Sequence, residues 1–176
     1  MRELSLNVLD IAQNSVSANS SLVEIDVFEN ARMHELTLGV TDNGKGMTKE
    51  QLDSVRDPFF TTRTTRKVGL GVPLFKMAAE MTGGSFSIES EVGKGTKVKA
   101  FFKTDSIDFT PLGDITSTIV LLITINTDID FVYRFQKDEK SFLLDTRQLK
   151  KILGGVPLSE PSIANWLTEY INENTQ

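Results

Sequence analysis

Three glycine-bearing loops stand in the chain, at Asp42-Asn43-Gly44-Lys45-Gly46, Gly69-Leu70-Gly71 and Val92-Gly93-Lys94-Gly95-Thr96. Any one alone reads as a tight turn. In this order they suggest anion chemistry, because glycine lets backbone N–H groups approach an anion closely. Gly69-Leu70-Gly71 leads directly into an expected helix, whose first-turn N–H groups and dipole favour phosphate. Arg63, Arg66 and Lys67 just ahead of it offer charge to further phosphate oxygens. Asp42 closes a strand of otherwise apolar pattern. A carboxylate there accepts from an exocyclic amine, which separates adenine, a donor at that edge, from guanine, an acceptor.

A fourth feature lies near the N-terminus. At 100° per residue, Asn7, Asp10, Asn14 and Ser17 share one narrow helix face, with Val8, Leu9, Ala12 and Val16 roughly opposite. A polar stripe is also how a solvated helix side is built. Solvated sides favour Lys, Glu, Gln and Arg, however, and Asn, Asp and Ser are poorer helix formers. Helix stability alone does not account for them.

The elements that must position these residues follow from periodicity. A helix is expected over residues 3–19. Strands follow at 23–28 and 36–41, where apolar residues alternate with polar ones. Thr48 starts a second helix, with Gln51 as its capping-box partner. Residues 57–67, rich in hydroxyls and basic side chains, have no period and read as a loop. Helix 74–81 stops at Gly83-Gly84, and a hairpin pairs 85–91 with 96–104. Residues 105–113 read as a linker. Beyond it come an expected strand at 116–126, a hairpin of 131–135 with 141–145, and helix 147–153 stopped by Gly154-Gly155. The last helix spans 161–172, with Ser159 as its N-cap and Ile163, Trp166, Leu167 and Tyr170 as its apolar stripe.

Composition closes off several classes of function. The 176 residues are 39% apolar and 24% charged, values of a folded domain rather than a disordered tail. No cysteine means no disulfide framework, no cysteine zinc site and no thiol nucleophile. The single histidine, His34, excludes a histidine-cluster metal site and reads as an exposed turn residue. A net charge of -5 argues against a general nucleic-acid binder. The apolar run Ile119 to Ile125 is too short for a membrane span, and the first ten residues hold no signal-peptide core. The expected compartment is the cytoplasm.

The order Asn14 … Asp42-x-Gly44-x-Gly46 … Asp57-Pro58-Phe59-Phe60 … Gly69-x-Gly71 … Gly93-x-Gly95-Thr96 resembles the ATP-binding domain shared by gyrase, heat-shock chaperones, histidine kinases and mismatch-repair ATPases (the GHKL superfamily). The likeness covers residues 3–103. The stretch from Gly69 to Phe102 is most similar to sensor histidine kinases, and residues 9–21 are equally similar to mismatch-repair and gyrase members.

The resemblance implies a Bergerat-type α/β two-layer sandwich, a mixed sheet with helices on one face. Residues 1–104 would form the ATP-binding domain, 105–114 a linker and 115–176 a small α+β extension. It implies ATP and Mg²⁺ as cofactors, with Asn14 holding the metal. Asp42 would take the adenine amine, supported by Thr96 directly or through water. Gly44 and Gly46 would let the chain pass close to the base. Residues 57–68 would be the lid, and Gly69 and Gly71 would contact phosphate through their amides. Asn7, Ser17, Met47, Phe60 and Leu70 would join the pocket. Lys67 stands where kinases often have the first glycine of GxGLG, and would add a phosphate contact. Asp10, one turn before Asn14, stands where hydrolytic members carry a water-activating Glu. With Asn14 it is the expected catalytic pair, general-base chemistry and a place in the metal's water shell both remaining open.

The implied function is a stand-alone catalytic part of a histidine-kinase-like enzyme, without an acceptor-histidine domain, that phosphorylates a partner protein. The alternatives are an ATPase or ATP-operated switch, and a sensor of ATP without turnover. A protein partner is expected, with no nucleic acid and no membrane; a homodimer is left open.

Overall fold

The computed structural model of the chain describes residues 3–56 and 71–176. Helix α1, Leu4–Ser17, buries Leu4, Val8, Ile11, Ala12 and Ser15, the i, i+4, i+7 row that faces the sheet. Its N-terminus lacks a side-chain cap. Leu4 and Ser5 instead donate their N–H groups to the carbonyls of Pro111 and Leu112, both at 2.9 Å. Residues 105–114, read as a linker, thus satisfy donors that a helix start leaves open.

The sheet has six strands in the order β3-β4-β2-β1-β5-β6. These are β1 Leu22–Asn30, β2 Glu35–Asp42, β3 Ser85–Glu91, β4 Gly95–Lys103, β5 Asp130–Lys137 and β6 Lys140–Asp145. β1 and β5 run parallel; the other neighbouring strands are antiparallel. The mixed α/β architecture expected from the sequence is present. Val23, Ile25 and Val27 of β1 and Leu36, Leu38 and Val40 of β2 point into one core under α1, as their alternation requires. Between these inward residues, Glu24 and Asp26 pair with Arg134 of β5 across the other face.

Helix α2, Lys49–Arg56, opens with the expected capping box. Thr48 N–H donates to Gln51 Oε1 at 2.9 Å, and Gln51 N–H to Thr48 Oγ1 at 3.1 Å. Helix α3, Gly71–Met81, buries Val72, Phe75 and Ala79, and its chain leaves through Gly83 and Gly84.

The expected strand at 116–126 is a helix, α4, Ile115–Ile125. Its β-branched content favours a strand, but Ile115, Ile119, Val120, Leu122 and Ile123 are all buried, in a helix packed between α1 and the last helix. Tertiary burial overrides propensity here. The deciding local signal is Asp114, whose carboxylate accepts from Ser117 N–H at 3.0 Å and Ser117 Oγ at 2.6 Å. These two bonds hold the Asp114 carboxyl below the usual range. The helix's threonines find acceptors, Thr124 Oγ1 on the Val120 carbonyl and Thr116 Oγ1 on Asn172 Oδ1.

Residues 115–176 extend the sheet: β5 lies beside β1 from Leu22↔Asp130 to Glu29↔Lys137. Helix α5, Thr146–Leu153, ends at Gly154 in the left-handed conformation, φ 58°. Helix α6, Pro161–Thr175, has Glu160 at its N-cap, without a side-chain bond, where Ser159 was expected. Leu167 and Ile171 are its buried anchors, while Trp166 is half-exposed and stacks on Tyr170 at 4.9 Å. No helix among the described residues is long and apolar enough to cross a membrane.

Candidate functional site

Asp42 is the last residue of β2, in register with Thr96 of β4 and Val23 of β1. Its side chain continues the inward row Leu36, Leu38, Val40 and therefore emerges beneath α1. Only 9% of it is exposed. Both carboxylate oxygens are engaged: Ser15 Oγ donates to Oδ2 at 2.6 Å, and Gly44 N–H donates to Oδ1 at 2.9 Å. A carboxylate oxygen accepts about two hydrogen bonds, so each keeps room for one more.

The loop after Asp42 is fastened on both sides. Asn43 Oδ1 accepts from the N–H groups of Ser21 and Leu22, and Lys45 N–H reaches the Ala18 carbonyl at 2.9 Å. Gly93 N–H donates back to the Lys45 carbonyl at 2.7 Å. A Cβ on Gly44 would lie 2.6 Å from Ser20 Oγ and 2.7 Å from the Ala18 carbonyl. Gly46 sits at φ +71°, and its Cβ would lie 2.0 Å from the Glu91 carbonyl. The glycines thus let the loop press against the end of α1 and the β3–β4 turn; the space they vacate is taken by the chain itself. Met47 N–H donates to Ser90 Oγ at 2.8 Å, and Ser90 Oγ shares a hydrogen bond with Thr96 Oγ1 at 2.8 Å.

These elements enclose a cavity of about 390 Å³. Asn14, Ser15 and Ser17 of α1 line one side, Asp42 and Thr96 the end, and Lys45, Gly46 and Met47 the loop side. Val40, Val55, Val72, Ile88 and Val98 supply apolar walls. An apolar slot with a few placed polar groups suits a flat ring with one polar edge.

The structure brings Asn14, Ser17, Asp42, Gly46, Met47 and Thr96 together on this cavity, with Gly44 supporting Asp42 from behind. Asp10 is exposed one turn before Asn14, and a Cβ on Gly71 would lie 3.5 Å from the Asp10 Cβ, so α3 starts against it. Asn7 is buried and away from the cavity lining; its Oδ1 finds no partner among the described residues. Phe60, Lys67, Gly69, Leu70 and the expected lid 57–68 lie outside the described residues.

Ser15 and Ser90 escaped the sequence reading. Ser15 falls off the polar stripe, but it stands in the buried row of Leu4, Val8 and Ile11, and a hydroxyl in an apolar row is a signal in itself. Ser90 carries no comparable mark, because a strand serine is ordinary. Among the described residues no group of three acidic or histidine side chains could hold a metal.

Known proteins resemble this chain over part of its length. Sporulation kinase D of Bacillus subtilis is 34% identical over 91 residues, 52% of this chain and 18% of that protein. The sensor histidine kinase ZraS of Escherichia coli is 32% identical over 89 residues, 51% of this chain and 19% of that protein. The chain therefore spans less than a quarter of the length of these curated relatives. In fold, it is similar to the Aquifex aeolicus MutL ATPase domain complexed with ADP, with a TM-score of 0.53 at 12% identity, covering 88% of this chain and 70% of that one. The N-terminal domain of a DNA repair protein gives 0.55 at 16% identity, covering 81% and 52%. Both fold matches cover more of the chain than its first 106 residues. Those residues, 1–106, match the Histidine kinase-, DNA gyrase B-, and HSP90-like ATPase family, and the chain belongs to it.

Proposed function

We propose that the cavity beneath α1 binds Mg-ATP, adenine inward, and that the chain transfers the γ-phosphate to an acceptor on a partner protein. The observation that carries the nucleotide reading is Asp42, an almost buried carboxylate with both oxygens held, lining a cavity whose other walls are largely apolar. Thr96, linked to Ser90, would support the base beside it. Gly69, Gly71 and Lys67 are assigned to the phosphates, Phe60, Leu70 and Met47 to the pocket. Asn14, half-buried at the cavity side, is assigned to the metal. Mg²⁺ bound there with the nucleotide would supply neutralisation of phosphate charge.

His34 supports an acceptor outside these 176 residues. It is the sole histidine, exposed at φ 58° in the turn that opens β2, whereas Asp42 closes that strand. At about 3.3 Å per residue the two ends stand roughly 20 Å or more apart. Residues 1–104 are the ATP-binding part, and 115–176, reached through 105–114, brace α1 and β1. The net charge of -5 favours a protein over nucleic acid as the partner.

Hydrolysis is the second reading, and Asp10 favours it: it shares a face with Asn14 and abuts the first residue of α3, where phosphate is expected. Incubation with γ-labelled ATP and candidate partners separates the two. Label on a partner supports transfer, free phosphate supports hydrolysis, and neither product alongside tight ADP binding refutes both.

A further inference from the structure

We infer that Ser15 sets the base preference of the site, by fixing Asp42 and by spending its only proton on it. The inference rests on the reading of the cavity as an adenine site. Ser15 is 2% exposed and Asp42 9%, so water does not compete for their 2.6 Å hydrogen bond. The backbone at Ser15 is held: its carbonyl accepts from Ser20 Oγ at 2.8 Å and from Ala18 N–H at 3.2 Å. The hydroxyl is therefore delivered to one place.

A hydroxyl has one proton and two acceptor lone pairs. With that proton committed to Asp42 Oδ2, and Oδ1 taking the Gly44 N–H, this wall of the cavity presents acceptors. A purine with an amine at position 6 donates into such a wall. A purine with a carbonyl there sets oxygen against oxygen. Ser15 also removes the alternative in which Asp42 turns away, because rotation would break both bonds at once. It acts through Asp42 as a positioning residue.

The test uses ADP and inosine diphosphate, which differ at the 6-position edge. Calorimetric titration of the full chain compares the parent, Ser15→Ala, Asp42→Asn and the double variant, with thermal unfolding of each. Ser15→Ala should weaken ADP about tenfold, as loss of one buried bond to a charged group does, and leave inosine diphosphate less affected. In the Asp42→Asn background, where no carboxylate is left for its proton to hold, it should cost clearly less. Equal loss of both nucleotides, or the full loss reappearing in the Asp42→Asn background, would overturn the role of Ser15. ADP binding that ignores Asp42→Asn would instead overturn the adenine reading beneath it.

Discussion

Replacing Asp42 with Asn probes the centre of the site, and the structure dictates how the new amide must lie. Gly44 N–H, a fixed backbone donor, points at Oδ1 from 2.9 Å, so that position must remain an oxygen. The amide nitrogen then takes the place of Oδ2, opposite Ser15 Oγ. Ser15 can rotate its hydroxyl and accept from it, so no buried group is orphaned and the melting temperature should hold. What changes is the face offered to the ligand. An NH₂ donor now meets the exocyclic amine, and one charge-assisted hydrogen bond is lost. Such a bond is worth about 1.5–3 kcal/mol, which is about a ten- to hundredfold loss of affinity. A purine with a carbonyl at position 6 should gain relative to ADP, because the new amide donates to it. Calorimetric titration with ADP and inosine diphosphate reads both effects. Unchanged ADP affinity in a folded Asp42→Asn protein would refute the assignment of the carboxylate to the base.

Other outcomes follow from single residues. Asn14→Ala should abolish turnover and the Mg²⁺ dependence of nucleotide binding while leaving metal-free ADP affinity near the parent's; parent-like turnover with the same Mg²⁺ dependence would make it structural. Gly46→Ala should destabilise by at least about 1–2 kcal/mol, the cost of a left-handed backbone, since its Cβ also meets the Glu91 carbonyl; urea denaturation of the two proteins reads the difference. Tyr133 is 1% exposed and its hydroxyl has no partner among the described residues, so Tyr133→Phe should stabilise the fold by about 1 kcal/mol, raising Tm by about 2–4 °C. Burial also pushes the Tyr133 phenol up, so above pH of about 10 the unfolded chain loses a proton that the native one keeps, and stability falls as pH rises; the Phe variant should lack that component.

What the amino-acid order determined by itself is mostly what neighbours along the chain decide. The Thr48–Gln51 box, the helix ends at Gly83 and Gly154, and the alternation in β1 and β2 all rest on contacts or patterns within a few residues. Asp42 was legible because a lone carboxylate ended an apolar strand, and Asn14 because it stood in a stripe that helix propensity does not favour. Burial decided the rest. Residues 115–125 have a strand's composition, yet they are packed between α1 and α6, where a helix closes its own backbone hydrogen bonds and buries side chains on several faces. The bond from Ser15 to Asp42 joins residues 27 apart, and β5 joins β1 across more than a hundred residues. No local pattern encodes such meetings. They exist because folding brings two apolar surfaces together and makes it costly to leave a polar group trapped between them without a partner.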